Sequence, residues 1–387
     1  MPARIACFLA LIVTSCAVKE KPEAMTDQEI WTHARQLAGD YIIVDGHIDL
    51  PEHLKDIKFR AGIDSPDTIV STKNGEFDYK RAKQGGLDAP FMSIYIPKEY
   101  QKKSDYGKEL ADSLINTVIW ITQALPDKFA LANTPDEIIA NTEAGKISLP
   151  MGMENGAPIG KDIKNVKYFY DRGIRYITLT HNADNQICDS SRDSTRTNGG
   201  LSAFGKEVVT EMNRLGIIVD ISHVDDTTFY QTIELSKAPV MASHSSARKF
   251  SPKATRDMTD EMIKKLGEKD GVIMINFYTA FLDSTAFKTM GKFDSLHVNP
   301  TNVETVADHI DHVVKIAGID HVGIGSDFDG VSGSLPVGLE DVSKYPDLIY
   351  TLLKRGYSDE DIEKICNKNA FRVWNKVIDV SKELQGK

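Results

Sequence analysis

The 387-residue chain has four cysteines, no apolar run long enough to cross a bilayer, no excess of basic charge and no internal repeat. Each absence excludes something. Four cysteines cannot staple a disulfide-dense scaffold, so a hydrophobic core must hold the fold. Short apolar runs leave no transmembrane helix. Lys+Arg 46 against Asp+Glu 56 gives a net charge of −10, so the sequence lacks the footprint that attracts phosphate backbones, and nucleic acid is not an expected partner. With no repeat and no low-complexity linker, one domain is expected rather than two. What is present, 41% hydrophobic and 26% charged residues, is the make-up of a folded globule.

The N-terminus reads as an address. Arg4, the apolar stretch Ile5 to Val13 and the small pair Thr14-Ser15 have the layout of a secretory signal, residues 1–15, too short to span a membrane. Val13-Thr14-Ser15-Cys16 resembles the bacterial lipobox, whose cysteine is acylated. The expectation is therefore a lipidated tether over 16–26, a folded part over 27–387, and an exported chain anchored through Cys16 to a membrane of the bacterial cell envelope. Cys188 and Cys366 then remain for the folded part, and spacing alone does not decide whether they pair.

From Asp27 onward, short β-branched runs alternate with longer amphipathic stretches. The strand candidates are Tyr41–Asp45, Phe91–Ile96, Ile147–Gly152, Tyr176–Thr180, Ile217–Ile221, Val240–Ser243, Val272–Asn276 and Val322–Gly325. Helical spacing falls between them, as in Tyr106–Ala124, Phe204–Leu215, Asp225–Leu235, Thr259–Glu268 and Asn302–Ala317, and Ser358–Val380 continues as terminal helix. Eight strands buried on both faces and separated by helices predict an α/β fold, a (β/α)8 TIM-type barrel with extra C-terminal helices; a doubly wound sheet is the runner-up.

Such barrels carry their active sites at the C-terminal ends of the strands. His47 and Asp49 stand after the first run, Glu154 after the third, and His181 after the fourth. His223 follows the fifth, His244 the sixth and Asp327 the eighth, with Tyr278 after the seventh a candidate to line the pocket. Histidines and carboxylates at equivalent topological positions, without thiolates, suit borderline divalent ions such as zinc. His47 and Asp49, two apart at a strand end, point to one side and can share an ion; His223 and His244 can hold a second, with Glu154 placed to bridge. By contrast His309 and His312 sit on a helix outside this mouth, and they, like His33, His53, His297 and His321, read as packing or solvated residues.

The motifs VDGHIDLP (44–51), GGLDAPFMSIYIP (85–97), GMENG (152–156), YITLTHN (176–182), ASHSSAR (242–248), NFY (276–278) and GIGSDFDGV (323–331), with the long run GLSAFGKEVVTEMNRLGIIVDISHV (200–224), resemble the membrane (renal-type) dipeptidase family, zinc enzymes related to amidohydrolases. The resemblance implies two Zn2+ per chain, with His47 and Asp49 on the first, His223 and His244 on the second, and Glu154 bridging. It implies hydrolysis of dipeptides, including those with a C-terminal D-residue, by a water shared between the ions. His181 would stabilise the oxyanion, Asp327 would move the proton, and Arg256 would hold the substrate carboxylate, with Arg248 its rival. It also hints at a homodimer. A related amidohydrolase acting on another small amide, lactone or β-lactam, and a catalytically silent peptide-binding lipoprotein, are the alternatives.

Overall fold

Ten short strands form in chain order: β1 Ile43–Ile48, β2 Leu87–Tyr95, β3 Phe129–Leu131, β4 Ile147–Leu149, β5 Met151–Glu154, β6 Ile174–Thr178, β7 Ile218–Asp220, β8 Met241–Ser245, β9 Val272–Ile275 and β10 Val322–Ile324. Eight of them close a parallel barrel in the order β1-β2-β5-β6-β7-β8-β9-β10, and β3 and β4 make a separate two-stranded sheet. The computed structural model describes residues 25–61, 65–289, 292, 298–331 and 333–386. Residues 1–15, Cys16 and His297 lie outside the described residues, as does the tether up to residue 24.

The barrel strands are rich in Val, Ile and Met because the lumen covers one face and helices the other. One expected strand is corrected. Ile147–Gly152 is two strands, interrupted at Pro150, which has no N–H to give to a ladder. Its carbonyl still accepts from Met92 N–H at 2.8 Å. Before the proline the chain pairs with β3, which sequence periodicity does not reveal; after it the chain enters the barrel between β2 and β6.

The helices lie where expected, within a residue or two: Lys108–Ala124, Ala203–Leu215, Asp226–Leu235, Asp260–Glu268 and Val303–Ala317. Ser202, Asp225, Thr259 and Asn302 each accept the backbone N–H three residues on, so each of the last four helices starts at a side-chain cap. The C-terminal helix Asn369–Leu384 closes the floor of the barrel: Trp374 packs on Phe91 inside the lumen, with ring centroids 5.1 Å apart. Asn367 and Asn369 fasten it to the carbonyls of Ile42 and Val322, at the starts of β1 and β10. The opposite end is left for the site. Cys188 and Cys366 are both buried and free.

Candidate active site

At that open end, the residues singled out in the sequence converge. His47 and His244 lie within β1 and β8, Glu154 ends β5, and Asp49, His181, His223 and Asp327 stand in the segments just after β1, β6, β7 and β10. All but His181 are buried, and His181 is nearly so. The two oxygens of Glu154 face different neighbours. Oε2 lies 3.5 Å from His47 Nε2, which is itself 3.3 Å from Asp49 Oδ2. Oε1 lies 2.9 Å from His223 Nε2, 3.3 Å from His244 Nε2 and 3.6 Å from His181 Nε2.

This donor set fits metal ions. His47 Nε2 and Asp49 Oδ1 are buried with no hydrogen-bond partner, and the Nε2 atoms of His223 and His244 converge to 2.9 Å. Groups such as His47, Asp49 and Glu154, or Glu154, His181 and His223, bring one ligand atom each within 4.8 Å of one another. Burial, helped by Arg256 and His181, holds His223 well below its ordinary range. Burial, helped by His47 and Arg256, pushes His244 down to about 3. Both rings are thus neutral, with a lone pair to offer. Burial also opposes charge on His47, but Tyr176, Asp49 and Glu154 outweigh it and hold the ring well above its usual range. Glu154 shows the converse: burial would raise it, yet His181, His47 and the bonds from His223 and His244 keep it ionised. A cation placed among these carboxylates does the electrostatic work that the His47 proton otherwise does. Asp327 differs from them: burial lifts it to about 8, with His47 opposing and Asp49 and Glu154 reinforcing.

A ring of residues not evident from the motifs orients these side chains. The Tyr176 hydroxyl meets His47 Nδ1 at 2.8 Å, its ring passing over Gly152 of the adjacent strand, where a Cβ would fall 1.9 Å from it. Asp220, fully buried, accepts from Thr178 Oγ1 at 2.5 Å and from Ser243 Oγ at 2.6 Å, and Ser243 Oγ meets His244 Nδ1 at 2.8 Å. Asn276 donates to Asp327 Oδ2 at 2.9 Å, and the Tyr95 ring meets His181 edge-on at 4.8 Å. Asn155, His223, Asp327 and Asp329 all hold positive φ, between 64° and 81°, a strained backbone concentrated where the chain leaves the strands.

Above the centre lies a cavity of about 610 Å³ lined by Asp49, Glu154, His181, His223, Asp327 and, as expected, Tyr278. Of the two arginine candidates, Arg248 is committed to a bidentate pair with Asp226 at 2.6 and 2.8 Å. Arg256 instead lies buried beside β8, bonded to Ser245 Oγ and the His244 carbonyl, both at 2.5 Å, with Nε unpartnered. It lines a hollow adjoining the main cavity. His309 and His312 do not join the site. His309 bonds to Ala247 and Leu282, and His312 to Asp260.

A parallel barrel whose mouth gathers buried histidines and carboxylates around Glu154 defines a metal-dependent hydrolase. The family model for membrane dipeptidase, peptidase family M19, matches residues 31–387, and the chain belongs to that family: it is a metallo-dipeptidase. It is 34% identical over 368 residues to an uncharacterised dipeptidase of Schizosaccharomyces pombe, an alignment covering 91% of this chain and 85% of the other. Among solved structures it is similar to a probable dipeptidase from Pseudomonas aeruginosa, with TM-score 0.79, 25% identity, and 91% and 99% of the two chains covered. It is also similar to a metallopeptidase from Rhodobacter sphaeroides liganded with a phosphinate mimic of the dipeptide L-Ala-D-Ala, with TM-score 0.75, 25% identity, and 87% and 99% covered.

Proposed function

We propose that the centre holds two divalent cations, zinc foremost, and that the enzyme cleaves small dipeptides, including those with a C-terminal D-residue. The observation that carries the two-ion reading is the division of Glu154, whose Oε2 faces His47 and Asp49 while Oε1 faces His223 and His244. His47 and Asp49 would hold the first ion and His223 and His244 the second. When bound, such a pair lowers the pKa of a shared water and polarises the substrate carbonyl. The D-residue reading is supported by the ligand in the Rhodobacter sphaeroides structure.

The protein's own groups take the remaining tasks. Burial lowers the pKa of His181, so its ring is neutral and carries one N–H, which can donate to the carbonyl oxygen as that atom gains charge. Asp327, buried at the cluster and steadied by Asn276, would take a proton from the attacking water and pass it to the departing amine. Arg256, desolvated beside β8, would hold the substrate's free carboxylate.

A panel of L,L and L,D dipeptides with the zinc-loaded chain tests this reading. Turnover is expected together with two bound ions per chain, and the absence of turnover at full metal content would sink it. Glu154→Ala should abolish activity and lower bound metal; unchanged metal content would contradict the bridge. The same reading carries an acylated Cys16 as membrane anchor, so Cys16→Ser should release the chain from bacterial membranes, and a variant that stays membrane-bound would refute lipidation. A homodimer, which the family resemblance suggests, predicts twice the monomer mass in light scattering, and a monomer mass would exclude it.

A further inference from the structure

The main cavity is charged unevenly. Asp49, Glu52, Asp327 and Asp329 line it from the segments after β1 and β10, which are neighbours in the barrel, and Lys292 adds a cation from the segment after β9. Arg192 lines it from the loop after β6, across the ring from those two strands. A dipeptide whose scissile carbonyl lies at the histidine–carboxylate cluster turns its C-terminal carboxylate toward that cationic side. There Arg192 and Phe281 wall a second hollow of about 190 Å³ as well as the first.

The lining of that hollow includes three cations, Arg192, Lys253 and Arg256, and no carboxylate. Among the described residues, neither Arg192 nor Lys253 has an ion-pair or hydrogen-bond partner for its side chain. Two further groups are buried and unpartnered at its wall: Ser191 Oγ, in a residue 6% exposed, and Arg256 Nε, in a residue 4% exposed. One substrate α-carboxylate on Arg256 leaves two cations and a hydroxyl unmatched. Arg192 and Lys253 are exposed at the rim and Ser191 and Arg256 buried beneath them, and together these donors favour an anion that can accept several hydrogen bonds at once. Phe281 and Phe287 supply apolar wall for a short methylene stem.

We propose that this hollow is the subsite for the C-terminal residue of the substrate and that it selects an acidic side chain. The preferred substrates are dipeptides ending in Glu or Asp. This rests on the dipeptidase reading, with Arg256 on the α-carboxylate, and adds Arg192, Lys253 and Ser191 as the residues that read the side chain.

The test compares kcat/KM of the zinc-loaded full chain for Ala-Glu against Ala-Gln, in both L,D and L,L series. The acid is expected to be favoured roughly 3- to 10-fold, the worth of two exposed, partly screened charge pairs. In Arg192→Gln combined with Lys253→Gln the acid-to-amide ratio should collapse toward unity. Equal turnover of acid and amide by the unaltered chain overturns the subsite while leaving the dipeptidase reading intact. A preference that survives the double substitution overturns the assignment to this hollow. Failure to cleave any dipeptide at full metal content removes both readings.

Discussion

His309 makes two hydrogen bonds that demand a neutral ring. Its Nδ1 accepts from Ala247 N–H at 3.0 Å, next to the end of β8, and its Nε2–H donates to the Leu282 carbonyl at 3.0 Å. The residue is fully buried, and burial pushes its pKa down to about 4, with His312 helping and the Leu282 bond opposing. The sign of the stability effect follows. Above pH 6.5 the ring is neutral whether the chain is folded or unfolded. As pH falls from 6.5 to 4 the unfolded chain takes up a proton that the folded one refuses, so stability is lost through that window, by about 3 kcal/mol at its lower end. His309→Gln removes the titration and costs about one hydrogen bond at neutral pH. The stability difference between the metal-free variant and the metal-free parent should therefore move by about 3 kcal/mol in the variant's favour between pH 6.5 and pH 4, changing sign on the way, read from urea midpoints. Parallel pH curves for the two proteins would show that His309 is not held neutral.

At the scale of an element, β8 joins support to function within five residues. Ser243 links Asp220 to His244, His244 faces Glu154, and Ser245 bonds Arg256. With Ser243 donating to the Asp220 carboxylate, its oxygen is free to accept from His244 Nδ1–H, which fixes the tautomer that presents Nε2 to a metal. Ser243→Ala should lower metal affinity roughly 10- to 100-fold while costing the metal-free fold only about 1 kcal/mol. Competition against a chelator measures the first and thermal unfolding the second; wild-type metal affinity would show that Ser243 does not position the ligand. This layer was not legible in the sequence, and the reason is physical. His47, Glu154 and His244 announce themselves because their residue types are rare in a buried strand end. Asp220, Thr178 and Tyr176 look like strand or core residues until the register of β6 against β7 and β5 sets them beside the ligands. The division of Ile147–Gly152 was hidden for a similar reason: a run of apolar residues does not say that its two halves pair with different neighbours. The sequence put Arg256 forward with Arg248 as its rival, and the pairing of Arg248 with Asp226 is a contact that sequence does not reveal.

Across the whole molecule, the centre is assembled from residues as far apart in the chain as His47 and Asp327, and barrel closure between β1 and β10 brings them together. The eight-strand count was readable because parallel barrel strands are apolar on both faces; the charge concentrated at the mouth follows only from closure. Asp49, Glu154 and Asp327 are all buried there within one cluster of histidines. Burying carboxylates in this way costs folding free energy unless opposite charge accompanies them. Metal ions therefore belong to the stability of the barrel as well as to its chemistry. A ligand that binds only the folded state adds about 2.7 kcal/mol when present at 100 times its dissociation constant. Chelation should lower the unfolding temperature by several degrees, and readdition of zinc should restore it in proportion to the logarithm of free metal. The same titration on Glu154→Ala should give a much smaller shift, because the carboxylate at the middle of the cluster is gone. An unfolding temperature indifferent to metal in the unaltered chain would mean that the cluster is neutralised by protons alone, as the raised pKa values of His47 and Asp327 allow in the metal-free protein.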